Sequence, residues 1–551
     1  MQTLLFLVLA LPAVTAVLLM LFRSSLSTGN ARWTALIGAF ATFLFSVFLL
    51  SGYYSRTVKA EELELEKLVT TQSADSLIRP RVEFIRPWLE SGDMQLQMYF
   101  GLDGISVAMI ALTGLLTVSA ILISWEAIRV RAAEFYAALL LLETGLVGVF
   151  CAFDLVLFYV FFEMTLIPLF FLIAVWGGQQ RRWAAVKFFL YTLAGSLVTL
   201  SGLIYLMQYA SAGGLTNPTS LPALSAWLSQ HPLPTELQAT LFLVVSAGFL
   251  IKVPVFPFHT WLPLAHVEAP TAGSVVLAGV LLKLGSYGFL RLCLPMFPDA
   301  CLQVGLPLIG LLSVIGVIYG SLCALAQTDI KKLVAYSSVA HLGFCMLGLF
   351  ALNQEGLTGS VLQMINHGLS TGALFIIVGM IYERYHTREM ADLSGLAHAL
   401  PRTAVAMVFI SMASIGLPGL NGFVGEFLSL AGMFRVNPLY SALGTTGVIL
   451  GAWYLLNAVR LVFFGELRVP APHAGDPPVR DMNGREFVAL APLAVLCLWI
   501  GIRPGPLVEL IQPDLNPIVR SISDAAENRN DGNSLELQAD PEAEPSVATL
   551  N

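Results

Sequence analysis

Six ionisable side chains stand inside long apolar stretches: Glu163, Lys252, Lys283, His341, His367 and Glu426. A charged group at bilayer depth costs about 2.5–3.5 kcal/mol on insertion scales, so such groups pair with one another or line an interior path. Carboxylate, amine and imidazole are also the side-chain types that take up and release protons as their surroundings change. Glu163 lies in DLVLFYVFFEMTLIP, and Lys252 opens KVPVFPFHTWLPLAH. At 4 Å and an effective dielectric of 20, a carboxylate and an ammonium attract by about 4 kcal/mol, enough for one to control the other's proton. The plain alternative for Glu163 is a structural ion pair between helices.

Lys283, in AGSVVLAGVLLKLGSYGFL, is too deep in its stretch to reach a headgroup. His341, in KKLVAYSSVAHLGF, and His367, in LQMINHGLSTGALF, titrate near neutrality and suit proton carriage, although buried histidines also serve as hydrogen-bonded core residues. Glu426 follows SIGLPGLNGFVGEF as the last buried ionisable group in the row. Glu143, in AALLLLETGLVGVF, either modulates the row or pairs locally. His259 and His266 flank the prolines after Lys252 and serve either as caps or as proton entry. Lys187 and the Asp329, Lys331, Lys332 group fall at span ends and read as snorkelling or topological anchors.

These groups need helices that break beside them. Pro254, Pro257 and Pro263 donate no backbone hydrogen bond and clash with the preceding turn, so the seventh span breaks next to Lys252. A second Pro/Gly cluster breaks the twelfth span ahead of Glu426. Interrupted backbone at membrane depth survives only where protein or a water-filled cavity covers it.

Composition fixes the class as an all-α polytopic membrane protein. Of 551 residues, 56% are hydrophobic and only 12% charged, against about 25% charged in soluble proteins. Fourteen apolar spans are expected, near 2–22, 32–53, 102–125, 134–153, 155–176, 183–209, 239–267, 272–296, 302–326, 329–352, 356–382, 403–435, 439–465 and 486–512. The six cysteines show no metal spacing and read as packing residues. No phosphate loop, haem, zinc or iron–sulfur pattern is visible, so no cofactor and no metal is expected in this chain, and nothing points to nucleic acid.

Arg and Lys concentrate at the odd-numbered connections, which places those in the cytoplasm and both termini on the periplasmic side. The segment 54–100 is the exception, with six basic residues, but it also holds eight acidic ones and is long. MQTLLFLVLALPAV lacks a basic lead and reads as a retained first span. Glu163 to Lys252 spans 89 positions and His341 to Glu426 spans 85. That spacing suggests two inverted five-helix repeats, spans 4–8 and 9–13, an arrangement of many transporters. The expected organisation is therefore 1–133 with an external loop 54–100, a first repeat 134–296, a second repeat 302–465, a last span 466–512, and an acidic, disordered tail 513–551.

The stretches FYVFFEMTLIPLFFLIAVWG, KFFLYTLAGSL, IKVPVFPFHTWLPLAHVEAPTAGSVVLAGVLLKLGSYGFLR, AQTDIKKLVAYSSVAHLGF and GLPGLNGFVGEF resemble the antiporter-like membrane subunits of proton-pumping NADH:quinone oxidoreductase, bacterial respiratory complex I, of the M (chain 4) type. The resemblance covers roughly residues 100–465 and implies fourteen helices, two inverted repeats and a proton path over the six residues above. It implies a non-redox subunit of a translocase in the bacterial inner membrane. NADH, FMN, iron–sulfur clusters and quinone would belong to partner subunits, and L- and N-type antiporter-like subunits and small membrane subunits would be neighbours. Related L- and N-type and Mrp-type subunits typically carry lysine at the position of Glu426, which points to the M type. The family often has an acidic residue where Leu264 stands, and Glu268 is the candidate substitute. The alternatives are a subunit of an Mrp-type cation/proton antiporter, or of a hydrogenase- or plastoquinone-linked relative of the complex.

Overall fold

A computed structural model of the chain describes residues 1–64, 77–91, 94–470 and 479–539, with only the backbone for 57–64, 89–91, 94–96 and 530–539. The helices, in order, are α1 (Gln2–Leu21), α2 (Thr28–Glu64), α3 (Gly104–Ile123), α4 (Ala132–Cys151), α5 (Leu155–Met164), α6 (Leu166–Trp176), α7 (Arg181–Ala212), α8 (Leu221–Gln230), α9 (Thr235–Lys252) and α10 (Leu262–Glu268). They continue as α11 (Thr271–Met296), α12 (Pro298–Leu325), α13 (Ile330–Leu349), α14 (Gln354–Tyr385), α15 (Pro401–Ser414), α16 (Asn421–Val436), α17 (Pro438–Phe463), α18 (Gly484–Ile502) and α19 (Gly505–Ala539). Among the described residues, thirteen helical stretches are long and apolar enough to cross a membrane. Helices α15 and α16, over the expected twelfth span, are each too short to be counted among them.

Helix α9 stops at Lys252; Val255 N donates to the Leu250 carbonyl, which Pro254 cannot serve, and the indole N–H of Trp261 donates to the Ile251 carbonyl at 2.9 Å in its place. Helix α15 ends at Ser414, and the turn to α16 passes through Gly416 and Gly419, whose φ angles of 76° and 91° disfavour any residue with a Cβ. Other irregularities were not foreseen, among them a π-helical stretch, Cys301–Ile309, in α12. The fifth span divides at Thr165, between α5 and α6. Helix α11 contains two π-helical turns, Leu277–Leu281 and Phe289–Cys293, on either side of Lys283, a distortion often found at functional positions.

The helices differ sharply in burial. Every residue in the apolar windows of α11 and α14 is inside the bundle, whereas only a third of those windows in α1, α2 and α18 is. The central helices carry the buried polar groups and the peripheral ones present apolar faces outward.

Three expectations need correction. The segment 54–100 is not simply a loop: α2 runs on to Glu64, and β1 (Val82–Ser91) pairs antiparallel with β2 (Met94–Leu102), Val82 opposite Leu102. The last span ends at Ile502 rather than 512, because Pro504 cannot continue it. Third, residues 505–539 form α19 where disorder was expected from 513. Leu510, Ile511, Leu515, Ile518 and Ile522 recur at helical spacing and are all buried, so an apolar stripe holds this polar segment to the bundle. Residues 540–551 lie outside the described residues.

Candidate functional site

Four of the six ionisable groups meet in one row. Lys283 Nζ lies 2.7 Å from His367 Nδ1 and also donates to the Ala278 carbonyl, inside the first π turn. The rings of His367 and His341 have centroids 5.7 Å apart. His341 Nδ1 is 2.7 Å from Glu426 Oε1, which also accepts from Gln363 Nε2 at 3.1 Å. The other nitrogen of His341 faces the hydroxyls of Ser414 and Tyr454, each at 3.4 Å. All four are buried, Lys283 at 0% exposure and His341 the most open at 5%. A buried pair in direct contact retains most of the attraction that water would screen.

Small residues make these contacts possible. Gly368, next to His367, sits so close to α11 that an added Cβ would be 2.6 Å from the Gly279 carbonyl oxygen. Gly425, next to Glu426, lies against Gln363 in the same way, with 2.9 Å from a built Cβ to the Gln363 backbone. Asn366 and Asn421 each donate to the other's carbonyl, at 2.7 and 3.2 Å, and fix the start of α16 against α14.

Glu163 and Lys252 form a looser set. Lys252 Nζ reaches Thr165 Oγ1 at 3.4 Å and lies over the Phe162 ring at 4.5 Å, while Glu163 Oε1 has no hydrogen-bond partner. Lys252 thus bonds Thr165, at the break between α5 and α6, rather than Glu163, and among the described residues no direct ion pair joins the two charges. The Lys252 end of α9 touches α11 where a Cβ on Gly285 would be 2.7 Å from the Phe249 carbonyl, two residues past Lys283.

The secondary residues divide. His266 is fully buried, stacks on Phe375 with centroids 4.7 Å apart, and has no hydrogen-bond partner at either nitrogen. It lies within electrostatic reach of Lys331 and Lys283, between the end of α10 and the row. His259 instead stacks on Phe256 in the broken segment and meets Tyr319 of α12 edge-on. Glu143 is completely buried with both carboxylate oxygens unpartnered, so the local pairing open to it is absent among the described residues. Lys187 donates to the Thr260 carbonyl at 3.2 Å. Lys331 donates to the carbonyls of Val267 and Ala269, capping the end of α10. Glu268 accepts from Gln180 N at 2.8 Å and is occupied in the connection before α7.

Sequence reading missed Thr165, Gln363, Ser414, Tyr454 and a charged group around Arg291. Gln363 precedes His367 by four residues, the spacing that shares a helix face, and Arg291 follows Lys283 by eight. Arg291 pairs with Asp103, and Asp514 of α19 lies beside them. Burial and the neighbouring Asp103 raise the Asp514 carboxyl well above its usual range, against the pull of Arg291 and Arg81.

Residues 152–451 match the family model described as NADH:quinone oxidoreductase/Mrp antiporter, TM. This chain belongs to that family. It is 42% identical to NADH-quinone oxidoreductase subunit M of Rhodobacter capsulatus, over 95% of this chain and 97% of the relative. It is 41% identical to NADH-ubiquinone oxidoreductase chain 4 of Prototheca wickerhamii, over 91% of this chain and 92% of that protein. Among solved structures it resembles a chain of respiratory complex I from Thermus thermophilus with bound NADH, with TM-score 0.79, 31% identity, and coverage of 94% of this chain and 99% of that one. A chain of the Mrp complex from Dietzia sp. DQ12-45-1b has the same fold, with TM-score 0.77 at 20% identity over 95% of this chain and all of that one. In this family's terms the chain is a multi-span membrane subunit whose buried polar row starts on its two most enclosed helices, α11 and α14, and continues onto α13 and α16.

Proposed function

We propose that this chain is a proton-translocating membrane-arm subunit of an NADH:quinone oxidoreductase. It carries protons through Glu163, Lys252, Lys283, His367, His341 and Glu426 while partner subunits hold NADH, FMN, iron–sulfur clusters and quinone. The observation that carries this reading is the pair of contacts Lys283–His367 and His341–Glu426, with the two imidazole rings 5.7 Å apart between them, all four side chains buried. An imidazole takes a proton on one nitrogen and releases it from the other, so His367 and His341 move a proton from the Lys283 ammonium toward the Glu426 carboxylate. The second nitrogen of His341, 3.4 Å from the hydroxyls of Ser414 and Tyr454, is the one that receives the proton while the first serves Glu426. His266 offers the entry step, since its free nitrogens lie between Lys331 and Lys283. The two inverted repeats, 134–296 and 302–465, each contribute one broken helix to the path. Odd-numbered connections face the cytoplasm, and L- and N-type subunits and small membrane subunits flank the chain.

The test is the purified complex in proteoliposomes, with NADH-driven quinone reduction and lumenal acidification measured together. Lys283→Ala should assemble and lose acidification coupled through this subunit. Wild-type acidification per electron by assembled Lys283→Ala would end the relay reading.

A further inference from the structure

One buried charge cluster takes no part in the row. Arg291 is 3% exposed and Asp103 1%, and they form an ion pair two turns beyond Lys283 on α11. Asp103 also caps α3, accepting from Ser106 N at 2.8 Å. Asp514 of α19 takes the two amides between, Gly104 N at 2.7 Å and Ile105 N at 3.2 Å. The approach is so close that a Cβ on Gly104 would stand 1.8 Å from the Leu510 carbonyl oxygen. An apolar stripe would hold α19 to the bundle without buried charge, and removing ions from water costs several kcal/mol each. Asp514, the member of the cluster carried by α19, therefore specifies where that helix sits through its bonds to the Gly104 and Ile105 amides, rather than merely that it sits.

Helix α19 also packs against α14 and against residues 294–300, where α11 turns into α12. Helix α11 carries Lys283 and α14 carries His367, the two side chains that meet at 2.7 Å. We propose that α19 is a clamp that sets the alignment of Lys283 with His367, with Asp514 and Arg291 as its positioning residues. Arg291 lies in the second π turn, Phe289–Cys293, and Lys283 lies between that turn and the first. A π turn holds one residue more than an α turn, so its loss rotates everything before it by about 100°. Anchoring Arg291 to Asp103, with Asp514 closing the same helix start, blocks that rotation and keeps Lys283 aimed at α14. The inference rests on the reading of Lys283 and His367 as relay groups.

The experiment uses the intact complex in proteoliposomes with Asp514→Asn, Asp514→Glu, Arg291→Lys and Lys283→Ala, and the double variant of Asp514→Asn with Lys283→Ala. Subunit content, protons translocated per electron pair and the pH profile of coupled turnover are read for each. Asp514→Asn should keep wild-type content, lose at least about half of this subunit's proton yield and displace the pH profile; Asp514→Glu should restore most of both. Added to Lys283→Ala, it should change nothing further, because the clamp acts through that lysine. If Asp514→Asn lowers content, Arg291→Lys is read in its place. Wild-type yield and pH profile per assembled complex in these variants, or a further loss in the double variant, overturn the clamp. Wild-type yield in Lys283→Ala instead overturns the relay reading beneath it.

Discussion

Replacing Gly368 by alanine is the sharpest perturbation the geometry offers, because it alters the row without touching an ionisable group. A Cβ there would stand 2.6 Å from the Gly279 carbonyl oxygen and 2.9 Å from Leu112 Cδ2, whereas ordinary contact begins at 3.4 Å. The leucine end can turn aside, but the carbonyl belongs to the helix backbone, so α14 and α11 must part by about 0.8 Å, the shortfall against 3.4 Å. The Lys283–His367 distance of 2.7 Å then grows to about 3.5 Å, past the useful range of a hydrogen bond. A hydrogen bond to a charged group contributes about 1.5–3 kcal/mol, which corresponds to about 10- to 100-fold in the rate of a step that depends on it. Gly368→Ala should therefore assemble, since one methyl in a multi-span bundle is a modest overpacking cost of about 1–3 kcal/mol. Its coupled turnover through this subunit should fall at least about 10-fold. The assay is the rate of lumenal acidification against NADH oxidation in proteoliposomes, with subunit content from a native gel. Acidification within a factor of two of wild type, at normal content, would falsify the claim that direct Lys283–His367 contact is part of the path.

Glu163→Gln or Lys252→Ala should abolish coupled turnover in an assembled complex, and Thr165→Val should reduce it by a smaller factor; near-normal pumping in either charge variant would refute the pairing. Glu426→Lys should retain part of the activity and Glu426→Ala little, because alanine leaves no titratable group beside His341, and equal pumping by Glu426→Ala and wild type would remove Glu426 from the row. A reporter fused after Asn551 should lie on the periplasmic side and one inserted near Arg182 on the cytoplasmic side. Both in one compartment would contradict the alternation of connections.

Local chemistry was legible from the chain alone. Span length follows from runs of apolar residues, and the breaks after Lys252 and before Glu426 follow from Pro254, Pro257, Gly416 and Gly419, whose effects act within a turn. The alternation of Met94, Leu96, Met98, Phe100 and Leu102 was a strand pattern present in the sequence, obscured by the charged segment before it. The stripe Leu507, Leu510, Ile511, Leu515, Ile518 was likewise present in the final helix, and its acidic composition concealed it.

By itself, the sequence determined a membrane bundle with broken helices and the identity of the ionisable groups inside it, because insertion cost and the missing proline donor are properties of single segments. Only the tertiary structure decided which of those groups touch. Lys283 meets His367 across 84 positions and His341 meets Glu426 across 85, through glycine-to-backbone approaches that no local pattern encodes. It also gave Lys252 Thr165 rather than Glu163 as its hydrogen-bond partner, left Glu143 unpartnered, and brought Asp514 from the last helix to Asp103 and Arg291. Such contacts are set by how whole helices pack, where the position of each depends on the volume and shape of several others.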